Sequence, residues 1–465
     1  MAKITKLTTL KDFLNEELKD YAVYKTMQQL PHFLDGLSQT QRKILWVLSH
    51  RPNQKIKIAD IYSLIYNETN YLHGDLSAKN VANNLAAPWN NNINLIESRA
   101  NFGSRTNKSA AAARYANTKF AEISKILFPE IDKNIRDKEF MEGKEIEPKW
   151  MSSVLPIALI NGFSGIAMGY SSSVIARNPL QVAEVLRDLL AGKRKTIPKN
   201  FDAFIPFFKG TISHGSNEKQ FVFKGCLKKG KVTKKYGTII IDELPPRYQR
   251  ESYIEFLRKL VDKNIVANWS DKCQKNNFYF EIKVPKEIYD KPISELEDLF
   301  GLIQKQSENL TFLYYTKDKK EIREFDSISE YMIAWIKERI DVYEMRKQFI
   351  LDDLKNKIRV AENRARFIQM VVDRKLIIEK KRKKVLETEL EKLEFDKVDG
   401  KFDYLLSMPL WNLTQEKINE LNETVKKLKK QYREIEKKEP REFWLDDLEM
   451  LIPYLEKELK NKTKT

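Results

Sequence analysis

Cysteine and histidine are scarce in this chain of 465 residues: there are two thiols, Cys226 and Cys273, and four histidines. The first scarcity excludes a disulfide framework. The second, with the histidines far apart in sequence, leaves no Cys/His set at zinc-ligand spacing. Both thiols are expected to be ordinary reduced cysteines. No stretch of about 18 consecutive apolar residues occurs, and the N-terminal MAKITKLTTLKDFL has no signal-peptide core. The expectation is a soluble, cytoplasmic protein with no membrane partner. There is also no P-loop. Asn161-Gly-Phe-Ser-Gly-Ile-Ala-Met-Gly169, the stretch most like a phosphate cradle, has neither GxxxxGK[ST] nor GxGxxG spacing. An NTPase engine or a self-contained metal site for hydrolysis finds no support.

Acidic charge is outnumbered. The chain has 83 Lys and Arg against 66 Asp and Glu, a formal net charge of +17 with pI near 9.3. Basic side chains gain by displacing counterions from phosphates, so a polyanionic partner is favoured. Charge alone does not separate DNA from RNA or an anionic membrane. A hydrophobic fraction of 42% is enough to build cores, and at about 100–200 residues per domain the chain should divide into about two to four units.

Three helix-like patterns broken by polar loops, Gln41–Leu48, Ile58–Ile65 and a segment after His73-Gly-Asp75, suit a helix-turn-helix or winged-helix unit. From about 150 to 325 the texture turns to β-type runs, Val154–Ile160, Thr238–Asp242 and Phe278–Val284, with a helix-like stretch at Tyr253–Asp262. This predicts a mixed α+β domain. Beyond about 328, apolar or small residues recur at Ile333, Ile336, Ile340, Tyr343, Ile350, Leu354, Ile358, Ala361, Ala365 and Ile368, close to a coiled-coil seam. A second run holds Ile418, Leu421, Val425, Leu428, Tyr432 and Ile435. Gly400 and the apolar Phe402–Trp411 lie between them, so a long helical hairpin with an apolar tip is the simplest construction. Its basic run, Lys380–Lys384, is a candidate DNA contact, although charge runs on coiled coils are more commonly solvated faces.

One region combines unusual ingredients: His73-Gly-Asp75, Asn101-Phe-Gly-Ser104 and Ser109-Ala-Ala-Ala-Ala-Arg-Tyr115. A tyrosine phenol, with an ordinary pKa of about 10, attacks a phosphodiester poorly unless nearby cations stabilise the phenolate and the developing phosphorane charge. Arg114 could supply that charge. Any single one of the 19 tyrosines is still far more commonly a packing residue. A non-catalytic architectural DNA-binding protein, a basic winged helix on a coiled-coil arm, fits composition and periodicity equally well.

The order of the motifs decides between these readings. Pro31-His-Phe-Leu-Asp-Gly-Leu-Ser-Gln-Thr-Gln-Arg-Lys43 resembles the P-x-x-x-D-G-L-K-P-x-x-R-R pattern of type IIA DNA topoisomerase breakage subunits. His73-Gly-Asp75, Asn101–Ser104, Ala111–Tyr115, Asn161–Ala167, Ile241-Asp-Glu-Leu-Pro245 and Leu405–Leu410 follow in that family's order, over nearly the whole chain. In length and layout the chain is most similar to the medium-subunit branch found in T-even-type bacteriophages, with gyrase A subunits more distant.

The resemblance implies an α+β multidomain fold. It comprises an N-terminal partner-contacting arm (1–25), a winged-helix DNA-gate domain (26–150), an α/β tower domain (151–327), antiparallel coiled-coil arms (328–385 and 415–450), a helical C-gate dimerisation tip (386–414) and a tail (451–465). It makes Tyr115 the nucleophile, Arg114 its transition-state cation and His73 a neighbour of the scissile phosphate. Arg42, Lys43, Lys25 and Ser104 become DNA contacts, and Val174 a wedge between base pairs; for Val174 a strand-end core residue is the equal alternative. The sequence departs from the pattern at Gln28, where an arginine is usual, at Ser38-Gln39, Tyr71-Leu72, Ala87 and Val174-Ile-Ala176. Phosphate-contacting charge is thereby reduced, and Lys25 or a partner-chain residue is expected to compensate.

No strand-linked acidic set of the Toprim kind is visible. The resemblance therefore implies that this chain carries no cofactor, Mg²⁺ and ATP both being bound by a large partner subunit with the Toprim and ATPase parts. The other implied partners are double-stranded DNA and a second copy of the chain. No propeller-like wrapping domain follows the second arm, so relaxation and decatenation are expected instead of gyrase-type negative supercoiling.

Overall fold

The computed structural model describes residues 9–136, 138–315, 320–379 and 381–463. Lys380 of the basic run, and residues 1–8 of the expected N-terminal arm, lie outside them. The chain divides into two compact units, one of residues 1–339 with 444–465 and one of residues 340–443.

The first unit opens with helices α1 (Leu10–Asn15) and α2 (Glu17–Gln29), which bury only Thr26 between them. Helix α3 (Gln39–Ser49) starts at a capping box, in which Ser38 accepts from Gln41 N–H and the Gln41 side chain accepts from Ser38 N–H. Its Ile44, Leu45, Val47 and Leu48 are fully buried. Strand β1 (Ile56–Lys57) leads into α4 (Ile58–Thr69), which ends at Asn70 in the left-handed conformation (φ 48°). Helix α5 (Asp75–Ala86) carries Asp75 in its first turn, where the helix dipole favours an anion. β1 pairs antiparallel with β2 (Asn117–Thr118), closing the 58–116 stretch onto the start of α4.

The α and β texture read from the sequence is present. Strands Asn268–Asp271, Phe280–Pro285, Tyr236–Glu243 and Cys226–Val232 form an antiparallel sheet in that order. Ile239 and Ile241 alternate inward, opposite Ile282 and Phe280. Helix Arg250–Asp262 lays Tyr253, Leu257 and Leu260 on that face.

Three expectations need correction. Val154–Ile160 is not a strand: Ile157–Asn161 is a helix, starting after Pro156 and ended by Gly162 at φ 73°. A short apolar run buried on every side has no period to distinguish the two structures. The helix Ile328–Val372 does form, but Ile333 is exposed; Tyr331, Met332 and Trp335 are buried there instead. The stretch from 451 is no tail. Helix Pro440–Thr463 buries Trp444, Leu448, Leu451, Leu455 and Leu459, and Trp444 donates to Val154 O at 3.1 Å. Lys462, also buried, donates to Asn91 O (2.5 Å), Asn92 O (3.1 Å) and Asn94 Oδ1 (2.7 Å).

In the second unit, helix Gln415–Lys437 lies antiparallel to the 340–372 stretch: Lys429 pairs with Glu362 at 2.6 Å, while Ile418 joins Phe367 and Ile368 in one cluster. Phe402 and Leu405 belong to the same cluster. Lys381 and Lys383 of the basic run are ion-paired with Glu389 (2.7 Å) and Asp403 (2.6 Å).

Candidate active site

Tyr115 is 67% exposed, although the backbone on both sides of it is held. Its N–H donates to Ala112 O at 2.8 Å, and the first turn of α4 grips the segment through Ile58 N–H to Ala116 O (2.9 Å) and Ala59 N–H to Ala113 O (3.1 Å). Small alanines let the backbone come this close to the helix end. The Arg114 guanidinium lies 4.8 Å from the centre of the Tyr115 ring. The Tyr115 side chain is therefore exposed, with a cation over its ring.

His73 sits past the other end of α4. Gln28 Nε2 lies 2.6 Å and Tyr24 Oη 3.3 Å from His73 Nε2, and the Tyr71 ring meets the imidazole edge-on at 5.3 Å. Partial burial, then the charges of Lys25 and Lys43, hold the His73 pKa below its ordinary value. A neutral ring lets Nε2 accept the Gln28 amide N–H. Gln28 thus takes up a hydrogen-bonding position next to the histidine where an arginine was expected. Tyr24 gave no sequence signal; only the fold brings α2 against His73. Lys25 is half-buried on the same helix, its Nζ 5.6 Å from the Tyr21 ring. Ser104 is engaged in its own loop, its N–H donating to Asn107 O at 2.7 Å and its Oγ accepting from Asn107 N–H at 3.2 Å.

The structure buries Arg42 and Lys43, which the resemblance makes DNA contacts, and it buries Val174. Arg42 is 5% exposed and bidentate on the fully buried Asp35, with Nε–Oδ2 2.6 Å and Nη2–Oδ1 3.1 Å. Lys43 is 6% exposed, paired with Glu147 at 2.6 Å and donating to Thr69 O. Buried cations need carboxylate partners; Asp35 stands near Arg42 in the same motif, whereas Glu147 lies too far along the chain from Lys43 for spacing to reveal. Both cations are buried in these pairs. Val174 is 5% exposed, opposite Phe163 in the hairpin Phe163–Ile166/Ser171–Val174. The core-residue alternative describes it. Ile166, on the same hairpin, is 81% exposed.

Among the described residues no three or more His, Cys, Asp or Glu side chains stand together to hold a metal ion, and no helix is long and apolar enough to cross a membrane.

Residues 29–449 match the family model for the A subunits of DNA gyrase and topoisomerase IV. The chain is 28% identical to the DNA topoisomerase medium subunit of Enterobacteria phage T4, covering 94% of this chain and 95% of that one. It is 27% identical to DNA topoisomerase 2 of Trypanosoma brucei brucei over 96% of its own length but only 36% of that protein's. The chain thus spans about a third of such relatives. The solved DNA-binding, cleavage and re-ligation domain of Plasmodium falciparum topoisomerase II superposes with a TM-score of 0.83 at 28% identity, covering 97% of this chain and 65% of that one. The chain belongs to the family of DNA gyrase and topoisomerase IV A subunits.

Proposed function

We propose that this chain is the DNA-cleaving and rejoining part of an ATP-dependent type IIA topoisomerase. The observation that carries this is the exposed Tyr115 phenol beside the Arg114 guanidinium, on a backbone fixed to the start of α4, in a chain of this family. Tyr115 Oη gives up its proton and attacks a phosphorus of the duplex, the bond to the 3′ oxygen breaks, that oxygen takes up a proton and leaves as a 3′-hydroxyl, and the chain is left joined to a 5′-phosphate. Arg114 offsets charge on the phosphorane. One phosphate diester replaces another of similar energy, so the break is reversible without ATP. A neutral His73, held by Gln28, donates its ring N–H to a phosphate oxygen, while Lys25 and Ser104 contact the DNA backbone.

The Tyr115 segment and His73 hang from opposite ends of α4, a helix of 12 residues and hence about 18 Å long. This separation supports a homodimer whose sites each combine groups from two copies. The remaining parts follow the family layout: a winged helix over 26–150, a tower over 151–327, coiled-coil arms over 328–385 and 415–450, and a dimerising tip over 386–414 that exposes Trp411. The 1–25 arm, exposing Leu10, Phe13 and Leu14, contacts a partner. That partner is a large ATPase/Toprim subunit, to which we assign Mg²⁺ and ATP on the family layout.

The test is denaturant trapping. The chain is mixed with the partner subunit, Mg²⁺ and end-labelled DNA, then quenched with detergent. A covalent protein–DNA band is expected; DNA binding without any covalent band would leave the architectural reading in its place.

A further inference from the structure

The loop between Asn101 and Ala111 is closed on itself. Asn101 O accepts from Ala111 N–H at 2.8 Å, and Asn101 Oδ1 accepts from Gly103 N–H at 2.9 Å. Gly103 has φ +80°, and a Cβ there would fall 2.8 Å from Lys108 O, so the turn requires glycine. Within the loop, Arg105 turns away from the surface and is buried. Its Nη1 and Nη2 meet both carboxylate oxygens of Glu243 at 2.7 and 2.8 Å, with Glu243 1% exposed. Nη1 also donates to Phe207 O at 2.7 Å, and the guanidinium lies 5.2 Å from the Phe278 ring centre. Glu243 is itself fixed, accepting Lys209 N–H (2.9 Å) and Leu244 N–H (2.8 Å) at the end of a core strand of the four-stranded sheet.

From Ala111, where the loop closes, the chain runs four residues to Tyr115, whose other side is tied to α4. We infer that Glu243 is a positioning residue for Tyr115: through Arg105 it clamps the 101–111 loop to the sheet and so fixes the direction in which the Tyr115 phenol points. The Ile241–Pro245 and Asn101–Ser104 motifs then act as one device, although neither touches the reacting atoms. A planar fork on two carboxylate oxygens fixes orientation as well as distance, which a single amine does not.

The inference rests on Tyr115 being the nucleophile, and its test separates the two ideas. Arg105→Met combined with Glu243→Gln removes the pair without stranding a buried charge. Arg105→Lys keeps the charge but cannot bridge both oxygens. In the full chain, amide exchange at Ala111 and Tyr115 should accelerate at least about tenfold in both variants while α4 keeps its protection. With the partner subunit, covalent adduct formation should slow at least about tenfold at unchanged DNA affinity, because sub-ångström misplacement of an attacking atom is costly. A residue that only stabilised the fold would lower the melting temperature without slowing the folded fraction. Wild-type exchange, or wild-type adduct rate, in a folded variant would overturn the inference. A wild-type chain that never forms an adduct would instead overturn the functional reading, and the exchange data would still decide whether the clamp orders the loop.

Discussion

Replacing Asp35 with alanine tests whether Arg42 is a core residue or a DNA contact. Asp35 accepts four hydrogen bonds: from Arg42 Nε (2.6 Å), Arg42 Nη2 (3.1 Å), Leu37 N–H (3.0 Å) and Met151 N–H (2.9 Å). Removing one partner of a buried ion pair costs about 3–5 kcal/mol, and each orphaned buried amide adds about 1–3 kcal/mol. Water entering the vacated space offsets part of this, so the net loss is about 4–6 kcal/mol. Urea unfolding of the purified chain reads it directly. Arg51→Ala is the control, because it breaks a pair with Glu68 whose side chains are 32% and 30% exposed, and screened pairs of this kind are worth less than about 1 kcal/mol. DNA affinity of Asp35→Ala, measured well below its melting temperature, should stay near wild type. A stability loss under about 1 kcal/mol together with tighter DNA binding would refute the reasoning and return Arg42 to the DNA surface.

Arg114→Ala should bind DNA normally but form adducts more slowly by about 10²–10³-fold, as when one transition-state donor is lost; single-turnover cleavage checks it. For His73 the folded pKa is lowered by burial, Lys25 and Lys43, so its contribution to stability is present above about pH 6.5, its unfolded value, and is lost as pH falls toward the folded value. Lys25→Met should move the histidine titration upward, followed by the imidazole NMR signal. Lys462 is pulled down to about 8 by burial. Between about pH 8 and 10.4 the unfolded chain holds the extra proton, so this lysine's contribution to folding grows more favourable as pH rises. Lys462→Met should remove that slope, read as the difference between wild-type and variant melts at pH values either side of the window.

Much of the local structure was legible because periodicity reports burial on one face: α3, α4 and α5, and the strand Tyr236–Glu243, fall where the patterns put them. The failures share a cause. The run 154–160 is buried all round, so no period survives. At Ile333 the heptad register is carried through a stretch where Trp335 and Tyr331 turn the helix toward a different neighbour. The C-terminal helix looks polar at its end because Lys462 is buried by means of distant carbonyls, not apolar contacts. In the site, Tyr115 and Arg114 were legible as a motif. The burial of Arg42 and Lys43 was not, since Asp35 and Glu147 become their partners only on folding. Gln28 was visible as a departure, but its hydrogen bond to His73 needed the docking of α2.

Mapping the covalent linkage tests the central claim most directly. The wild-type chain and Tyr115→Phe would be incubated with partner subunit, Mg²⁺ and DNA, trapped in detergent, digested with protease and nuclease, and sequenced by mass spectrometry. The account predicts a nucleotide joined through its 5′-phosphate to the peptide carrying Tyr115, and no adduct from Tyr115→Phe at unchanged DNA affinity. A modified peptide elsewhere in the chain, a 3′-phosphate linkage, or normal adduct yield from Tyr115→Phe would contradict it.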